Sequence, residues 1–412
     1  MKTLNLIIVL FCLFIGVNAF KISKKISGIG DRQITIFEKE PLYFDMALKE
    51  GKQEGDILRV DAGRILLKKV ILPKYEKDVK INVRVELTSV GDPWDKTGSL
   101  FVIPKNGLNF LEDEKALELL YKETDLKDSN LYPAINPFKN YLPAIELMRF
   151  YTPFGVGHFS KTEKAEKYKP VYISKWEDKV VWNQDVSHLV SELENEVWIG
   201  VFIDTWTKEG YNIDVKLEFT ESTIKNHLKE QSAIIPLVNT VRYIGPQRLY
   251  DGFSKQNIST TFEIPENCKF AELYYITTGH GGHSEGDEFT QKENLLVIDG
   301  DTLYQKTPWR DDCASFRRFN PSSGVWTEKR NAMFYDTESE QKIEKEIDEI
   351  IASSDYSRSN WCPGLSVSPH ILNLSKLSSG KHQLTVSIPE AQAASEDKHN
   401  HWNVSVYIKI EW

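Results

Sequence analysis

Strict alternation of apolar and polar residues is the clearest pattern in this chain, and it is strongest between residues 79 and 87. The apolar positions there are Val79, Ile81, Val83, Val85 and Leu87, and the polar positions between them are Lys80, Asn82, Arg84 and Glu86. Side chains of a β-strand point alternately to its two faces. The segment is therefore predicted to be a strand with one face in a core and the other in water.

The same alternation recurs later in the chain, from Ile213 to Phe219, from Leu384 to Ile388 and from Val404 to Trp412. Alternation of this kind is typical of antiparallel sheets that cover one side of a core. Between Thr220 and Ser232 the pattern lapses into a polar run. We therefore predict an all-β fold with two domains, residues 33–228 and 229–412, each of a size that fits a β-sandwich.

Two segments have helical spacing instead and are predicted to be short insertions. Leu111 to Lys122 is amphipathic, and Thr337 to Glu340 reads as a capping box before a charged helix from Gln341 to Ile351. A charged run of this kind is usually a solvated face. The alternative is a lid or rim over a binding site, and the regions 106–147 and 327–354 are the segments that could narrow such a site.

The first 19 residues have the pattern of a secretion signal. Lys2 precedes an apolar run from Leu4 to Val17, and Ala19 supplies the small residue before a cleavage site. The run is shorter than the roughly 18 to 20 apolar residues of a membrane span. We therefore expect a secreted or periplasmic protein in which residues 20–32 form an N-terminal lead.

Charge and cysteine content narrow the choice of partners and compartment. The net charge of −9 would become −10 after loss of Lys2, which disfavours binding to nucleic acid or to an anionic membrane. Three cysteines remain beyond the signal: Cys268, Cys313 and Cys362. An exported chain meets an oxidising compartment, so one disulfide and one thiol are expected, with three pairings open.

The segment from Ser89 to Lys96 is the first candidate for chemistry. Gly91 and Pro93 interrupt the strand that ends near Leu87, and a second strand is predicted from Ser99 to Ile103, so Trp94 and Asp95 are expected at the tip of a β-hairpin. An aspartate in such a turn often only binds its own backbone. Both interpretations stay open at this point.

Two later segments also place acids at predicted strand ends. Asp204 follows the apolar run from Val197 to Ile203 and precedes Trp206. The run from Thr277 to Phe289 holds His280, His283 and Glu288 among several glycines, which let a backbone approach a ligand closely. The next strand, Asn294 to Ile298, is predicted to enter a hairpin turn at Asp299 to Asp301.

A metal site is a second interpretation of the glycine and histidine run. His280 and His283 could be ligands together with the nearby carboxylates, and His399 and His401 could assist them. The spacing matches no known zinc signature, so the sequence favours this interpretation less.

Taken together, these segments resemble the bacterial peptide:N-glycosidase F family from about Gln33 to the end of the chain. The motifs that carry the resemblance are Trp94-Asp95, Phe150 to Gly157, Asp204-Thr205-Trp206, Thr277 to His283, Asp287-Glu288-Phe289 and Trp361 to Gly364. The resemblance implies two adjacent eight-stranded antiparallel jelly rolls with the active site in the cleft between them. It also implies an enzyme without metal or cofactor that acts as a monomer on N-linked glycoproteins and glycopeptides.

Residue by residue, the resemblance places Asp95 on the principal catalytic aspartate of the family and Glu288 on a glutamate from the second domain. Asp204 stands where the family has a glutamate, one methylene longer. The substrate-binding residues expected on the same basis are Trp94, Trp206, His280, His283, Arg358 and Trp361. The family's aromatic residue in the glycine and histidine run falls on His280 or Gly281. Cys313 and Cys362 match a family disulfide, and Gly91 stands where the family has a cysteine.

The chemistry implied by the resemblance is hydrolysis of the amide that joins N-acetylglucosamine to asparagine. This reaction needs a water aimed at the carbonyl carbon and a proton for the nitrogen, and a pair of acids with separated pKa values can divide that work. Our hypothesis is that Asp95 transfers the proton and Glu288 holds the water and the sugar, while Asp204 and Arg358 orient the core sugar and the peptide. The alternatives are a non-catalytic glycan-binding protein and a metal-dependent hydrolase centred on His280.

Overall fold

The computed structural model describes residues 31–49, 51–105, 142–222, 231–241, 252–281, 285–395 and 398–412. Within these ranges the chain is all-β, as predicted, with short helices at Glu163–Lys167 (α1) and Gly252–Lys255 (α2). The strands are Arg32–Leu42 (β1), Lys52–Glu54 (β2), Ile57–Val60 (β3), Ile65–Leu72 (β4), Val79–Ser89 (β5), Thr97–Val102 (β6), Ile145–Tyr151 (β7), Val180–Asp185 (β8), Asn195–Ile203 (β9), Tyr211–Glu221 (β10), Ser232–Asn239 (β11), Ile258–Ile264 (β12), Phe270–His280 (β13), Asn294–Ile298 (β14), Asp301–Lys306 (β15), Val325–Asp336 (β16), Gln341–Ala352 (β17), Ser366–Val367 (β18), His370–Asn373 (β19), Gly380–Ser387 (β20) and His401–Glu411 (β21).

The first sandwich packs two antiparallel sheets over one core. In the described residues one sheet has the order β1-β10-β5-β8 and the other the order β18-β7-β6-β9-β4-β3-β2. The alternating residues of β5 confirm the sequence prediction, because Ile81, Val83 and Val85 are completely buried. They meet side chains of the facing sheet such as Leu100 and Val201. The short strands β2, β3 and β18 extend this sheet beyond the eight strands expected for a jelly roll.

The second sandwich has the eight predicted strands. Within the described part of the chain its sheets have the orders β11-β21-β13-β19 and β12-β20-β14-β15. The predicted hairpin turn is confirmed, since β14 pairs with β15 and both Asp299 and Gly300 have positive φ angles of 52° and 93°. Such angles belong to the tight turns that match the twist of paired strands.

The expected hairpin between β5 and β6 is wrong. Strand β5 pairs with β10 and β8 in one sheet, whereas β6 pairs with β7 and β9 in the other. Residues 90–96 therefore cross from one sheet of the sandwich to the other. The alternation of β5 reports that one face is buried but carries no information about which strand lies beside it.

The predicted helix from Gln341 to Ile351 is also wrong, because this segment is strand β17. It pairs with β16 over twelve residues in a two-stranded ribbon. Its buried or half-buried isoleucines, Ile343, Ile347 and Ile351, are four residues apart. A spacing of four keeps side chains on one face of a helix, but it is an even number and does the same in a strand. The predicted helix from Leu111 to Lys122 lies outside the described residues.

A buried arginine of the first sandwich, paired with a glutamate of the same strand, joins the two sandwiches side by side. Glu146 and Arg149 on β7 are fully buried, with 2.5 Å between Arg149 Nη2 and Glu146 Oε2. Arg149 also donates hydrogen bonds to the carbonyl oxygen of Asn403 on β21 and to Thr278 Oγ1 on β13. Strand β18 adds to β7 of the first sandwich. The ends of β6, β7 and β13 are thereby held at the same side of the molecule.

Two further features bear on the predictions. Cys313 and Cys362 form a disulfide, and Cys268 is a free, partly exposed thiol. This confirms the pairing that the resemblance implied. No helix of the described residues has the length and apolar content needed to cross a membrane. The division of the chain between residues 228 and 229 stays a prediction, because residues 223–230 are not described.

Candidate active site

Two carboxylates and one arginine from three distant segments meet where the sandwiches touch. Arg358 Nη2 lies 3.4 Å from Asp95 Oδ2, and Arg358 Nε lies 2.9 Å from Glu288 Oε1. Asp95 belongs to the loop after β5 and Glu288 to the loop after β13. Each carboxylate exposes 17% of its side chain, whereas Arg358 exposes 2%. The arginine thus lies beneath two acids that solvent can reach.

A second aspartate shapes the loop that carries Asp95. Asp92 is completely buried, and its carboxylate accepts hydrogen bonds from the backbone N–H of Trp94 and from the hydroxyl of Thr205. The turn function expected for an aspartate in this loop therefore falls on Asp92. This leaves Asp95, three residues later, to extend toward Arg358.

Hydrogen bonds hold the backbone around Trp94 in place, while its indole ring is exposed to solvent. The carbonyl oxygen of Trp94 accepts hydrogen bonds from Tyr211 Oη at 2.8 Å and Thr152 Oγ1 at 3.2 Å. Lys96 and Thr152 are joined by a further hydrogen bond from the Lys96 N–H. The Trp94 side chain is 56% exposed. An exposed ring on a fixed loop is suited to stacking on an apolar ligand face.

The loop that carries Glu288 is fixed by its buried neighbour, Asp287. The Asp287 carboxylate accepts hydrogen bonds from Trp402 Nε1 and from the N–H of Gln392. Ser359 donates to the Asp287 carbonyl oxygen, and its own N–H donates to the carbonyl oxygen of Glu288. Glu288 and Arg358 are therefore held by adjacent backbone segments.

The guanidinium of Arg358 has contacts on every side. Besides the two carboxylates, it donates to the carbonyl oxygens of Ser353 and Tyr356. Its central carbon lies 4.8 Å from the ring centre of Trp361 and 5.2 Å from that of Phe289. Trp361, an expected substrate-binding residue, is only 3% exposed. Its ring packs against Arg358 in the interior of the protein and is not accessible to solvent.

Burial raises the pKa values of both carboxyl groups. The pKa of Glu288 rises to about 7, chiefly through burial and further through the charge of Asp95, against the lowering effect of Arg358. Burial also raises the pKa of Asp95, again opposed by Arg358. Two acids that share one arginine are the arrangement in which one group keeps a proton near neutral pH while the other is ionised.

This shift predicts a pH-dependent stability change in the variant Glu288→Gln. A carboxyl group whose pKa is raised on folding favours the folded state below the unfolded pKa of 4.5, and that contribution is lost as the pH rises through about 7. The variant cannot ionise at this position. Its free energy of unfolding, minus that of the wild type, should therefore increase as the pH rises from 4.5 to about 8. Denaturant unfolding at several pH values measures the difference.

The exposed residue Glu266 provides the control for this experiment. Glu266→Gln removes a carboxylate whose side chain lies in solvent, so it controls for the loss of one negative charge from the protein. A constant difference between Glu288→Gln and the wild type across this range would show that Glu288 does not titrate in the folded protein near neutral pH.

Asp204, the third expected acid, belongs to a neighbouring group of charges. Its carboxylate lies 3.3 Å from Arg64 Nη1, and Arg64 is also paired with Asp61. The guanidinium of Arg64 lies 4.4 Å from the ring centre of Trp206, which is 53% exposed. The N–H of Asp204 donates to the carbonyl oxygen of Thr97, two residues beyond Asp95. The group therefore forms an aromatic and charged platform beside the Asp95 loop.

His280 lies beneath the site and not in it. The residue is 6% exposed, and its Nε2 atom is 2.9 Å from both Tyr151 Oη and Thr278 Oγ1. Its ring also lies against Trp361 and His401. We therefore assign His280 no direct contact with a ligand. His283 lies outside the described residues. In the ranges described, no group of three or more His, Cys, Asp or Glu side chains is arranged to hold a metal ion.

Sequence reasoning missed the residues that support the site, namely Asp92, Asp287, Thr152, Tyr151 and Tyr211. Tyr151 joins the two sandwiches through Thr278 and stacks on Trp361 at 4.2 Å between ring centres. Tyr151 and Asp287 lay within segments that the resemblance singled out, and Asp92 lay in the loop itself. Their supporting role depends on partners far away in the sequence, which no local pattern identifies.

Comparison with known proteins gives a consistent result over both sandwiches. The family model described as peptide-N-glycosidase F, N terminal, matches residues 33–219, and the corresponding C-terminal model matches residues 249–409. A sequence comparison with curated proteins gave no match.

Solved structures are also similar. A structure of PNGF-II has 33% sequence identity and a TM-score of 0.75, and the match covers 92% of this chain but 65% of PNGF-II. PNGase F, a glycosylasparaginase from Flavobacterium meningosepticum, has 15% identity and a TM-score of 0.58, with 93% of this chain and 96% of that chain covered. At 15% identity, the similarity to PNGase F shows a shared fold. The chain thus spans somewhat less than two thirds of the length of PNGF-II.

Proposed function

Because the chain belongs to the peptide-N-glycosidase F family, we propose that it is an amidase that removes N-linked glycans from glycoproteins and glycopeptides. The bond cleaved is the amide between the innermost N-acetylglucosamine and asparagine, and the products are a glycosylamine and aspartate. The observation that carries the proposal is the pair Asp95 and Glu288 on one buried arginine. The structures of PNGF-II and of the glycosylasparaginase PNGase F support it.

In the proposed reaction the oxygen of a water forms a bond to the amide carbonyl carbon, and the bond from that carbon to the glycosidic nitrogen breaks. Asp95 takes the proton that the water loses and delivers it to the leaving nitrogen, so one carboxylate serves as base and then as acid. Glu288 holds the water and the sugar. Arg358 donates hydrogen bonds to both carboxyl groups, which holds them in position, and its positive charge offsets their negative charge.

The remaining roles follow from exposure. Trp94 and Trp206 lie beside the site with more than half of each side chain exposed, and we assign them contact with the core sugars. Asp204 acts through Arg64, which it orients beneath the Trp206 ring. In this arrangement the shorter acid does not need to reach the scissile bond.

One assay tests the proposed reaction. A defined glycopeptide is incubated with the protein in heavy-oxygen water, with and without chelator, and the peptide is examined by mass spectrometry. Aspartate labelled with one heavy oxygen, in equal amounts with chelator, is the expected result. Unlabelled, intact glycopeptide would mean a glycan-binding protein, and label that disappears with chelator would mean a metalloenzyme.

We expect Trp206→Ala to weaken substrate binding more than catalysis. Loss of one stacked ring should raise KM about 5-fold to 10-fold, the equivalent of about 1 kcal/mol, while kcat stays within about 2-fold. Steady-state kinetics with a glycopeptide measure both constants. Trp206→Phe keeps a ring over Arg64 and should recover most of the affinity. A fall in kcat without a change in KM would instead place Trp206 in the chemical step.

We also propose that the protein is exported and acts as a monomer of two domains divided near residue 228. The signal pattern of residues 1–19 and the disulfide between Cys313 and Cys362 support export, because such bonds persist in oxidising compartments. The two family models, which match on either side of the proposed boundary, support the division.

A further inference from the structure

The two-stranded ribbon of β16 and β17 has an apolar face that leads to the candidate active site. Its twelve cross-strand pairs correspond to a length of about 40 Å. In the part of the chain that the structure describes, neither strand pairs with a third strand. A ribbon of only two strands gains little stability of its own, so its length calls for a function.

Register defines the two faces of this ribbon. Residues directly opposite each other share a face, and the pairs Trp326 with Ile351, Arg330 with Ile347 and Phe334 with Ile343 fall on one side. This side also holds Ala332 and the polar residues Glu328, Asp336, Gln341, Lys345 and Glu349, so six of its twelve residues are apolar, and we call it the apolar face. The opposite face holds Met333 and Tyr335, whose partners are Glu344 and Lys342, and also the apolar residues Val325, Ile350 and Ala352.

Ring contacts continue the apolar face into the site. The ring centres of Trp326 and Tyr356 are 5.5 Å apart, and those of Tyr356 and Phe289 are 6.2 Å apart. Phe289 in turn packs against the guanidinium of Arg358. Ser353, which follows β17 directly, accepts a hydrogen bond from Arg358. A chain of ring contacts therefore runs from Trp326 to the arginine that holds Asp95 and Glu288, and the pair Glu328 and Glu349 separates it from the apolar residues nearer the tip of the ribbon.

We propose that the apolar face of the ribbon binds the polypeptide part of the glycoprotein substrate as an extended segment with apolar and basic side chains. The inference rests on the proposed function. In that reaction the carbonyl carbon is only two carbon–carbon bonds from the peptide backbone of the substrate. A polypeptide whose asparagine side chain reaches Asp95 must therefore leave the site close to Arg358, where the ribbon begins.

The composition of the ribbon favours polypeptide over the other occupants. Three of the six apolar residues on this face are isoleucines, and aliphatic side chains lack the flat ring surface on which sugars stack. Residues 325–352 hold eight acidic and four basic side chains, a net charge of −4. This charge repels acidic glycans and a second copy of the ribbon, and it attracts basic peptide side chains. Extended peptides can also pair with the open edge of a two-stranded sheet.

Substrates of two lengths test the proposal. One is a glycopeptide of about 20 residues with apolar and basic side chains around the glycosylated asparagine, which reaches about 65 Å when extended. The other is a three-residue glycopeptide with the same neutral glycan. Phe334→Ser combined with Ile343→Ser removes one cross-strand pair of the apolar face. Met333→Ser combined with Tyr335→Ser is the matched control on the opposite face.

The expected result is a KM about 10-fold higher for the long glycopeptide with the first double variant, equal to about 1.4 kcal/mol, and an unchanged KM for the short one. The control should match the wild type on both substrates. A KM raised equally for both lengths would mean that the face binds glycan, and an unchanged KM for both would overturn the docking surface. Loss of a wild-type dimer, seen by size-exclusion chromatography of the variant, would assign the face to a second copy of the chain.

A shortened ribbon serves as an independent variant in case the double variant disturbs the strands. Lys329 and Asp348 are cross-strand partners, so an Asn-Gly turn in place of residues 330–347 closes a hairpin at that pair. It should retain the turnover of the short glycopeptide and raise KM for the long one by at least as much as the double variant. If the wild type released glycan from neither substrate, the proposed function itself would fail. If the wild type and the variants released glycan with the same KM for each substrate, only the docking surface would fail.

Discussion

Asp95→Asn should lower kcat by at least about 1000-fold while the protein stays folded. Asparagine keeps the size of the side chain and can still accept from Arg358, but it cannot take a proton from water and return it to the leaving nitrogen. The pKa of Asp95 is raised by burial, which means that its ionised form is unfavourable in the fold. Removal of that charge should therefore leave the melting temperature unchanged or raise it. Single-turnover kinetics and thermal unfolding measure the two quantities.

The neighbouring Asp92 supplies the matched control. Asp92→Ala leaves the Trp94 N–H and the Thr205 hydroxyl without their acceptor in a buried loop, a loss of about 1–3 kcal/mol. This variant should melt earlier but keep measurable turnover, because its proton-transfer residue is intact. Turnover above about a hundredth of the wild-type rate in Asp95→Asn would contradict the assigned role, since general acid-base groups contribute about 100-fold or more.

Arg358→Met should cost both stability and activity, and the cost should depend on pH. Methionine fills part of the space between Trp361 and Phe289 but leaves two carboxylates without their counter-ion. Loss of one partner from a buried charge cluster costs about 3 kcal/mol or more. Arg358 lowers the pKa values of both Asp95 and Glu288, so both should rise further in the variant. The loss of stability should therefore be largest in alkaline solution and shrink as the pH falls and the acids take up protons.

Denaturant unfolding between about pH 5 and pH 9 gives the stability profile, and kinetics at the same pH values give the activity. Arg358→Lys is the informative comparison. It keeps the charge but cannot bind Asp95, Glu288 and the Ser353 carbonyl oxygen together, because an ammonium group lacks the planar fork of a guanidinium. Stability close to the wild type with activity still reduced by about 100-fold is expected for this variant. An equal loss of stability at every pH would exclude electrostatic coupling to the acids.

Local patterns predicted the strands well and their neighbours less well. The alternation from Val79 to Leu87 correctly indicated which side chains are buried, because burial of one face follows directly from the period of a strand. The same pattern misled at the next step, since β5 and β6 belong to different sheets. Strand pairing depends on contacts across the whole domain, whereas periodicity depends only on the strand itself.

The ribbon shows the complementary failure. Isoleucines at positions 343, 347 and 351 satisfy the period of a helix and that of a strand alike. The outcome was decided by β16, which supplies a cross-strand partner for each residue of β17. Propensity is a weak preference beside twelve such pairs, and a segment with ambiguous spacing takes the structure in which its backbone hydrogen bonds and apolar side chains are both satisfied.

The sequence by itself determined that the protein is all-β, that Asp204 directly follows a strand, that Asp95 and Glu288 lie between strands, and, through the resemblance of its motifs to a family, which cysteines pair. These properties depend on local period and on residue type. Only the tertiary structure decided that Asp95 and Glu288 meet at Arg358 while Asp204 binds Arg64, that Asp92 takes the turn role, and that His280 and Trp361 lie beneath the site. Asp95 and Arg358 are 263 residues apart. Contacts of that range arise from the packing of two sandwiches against each other, which no single segment of the chain encodes.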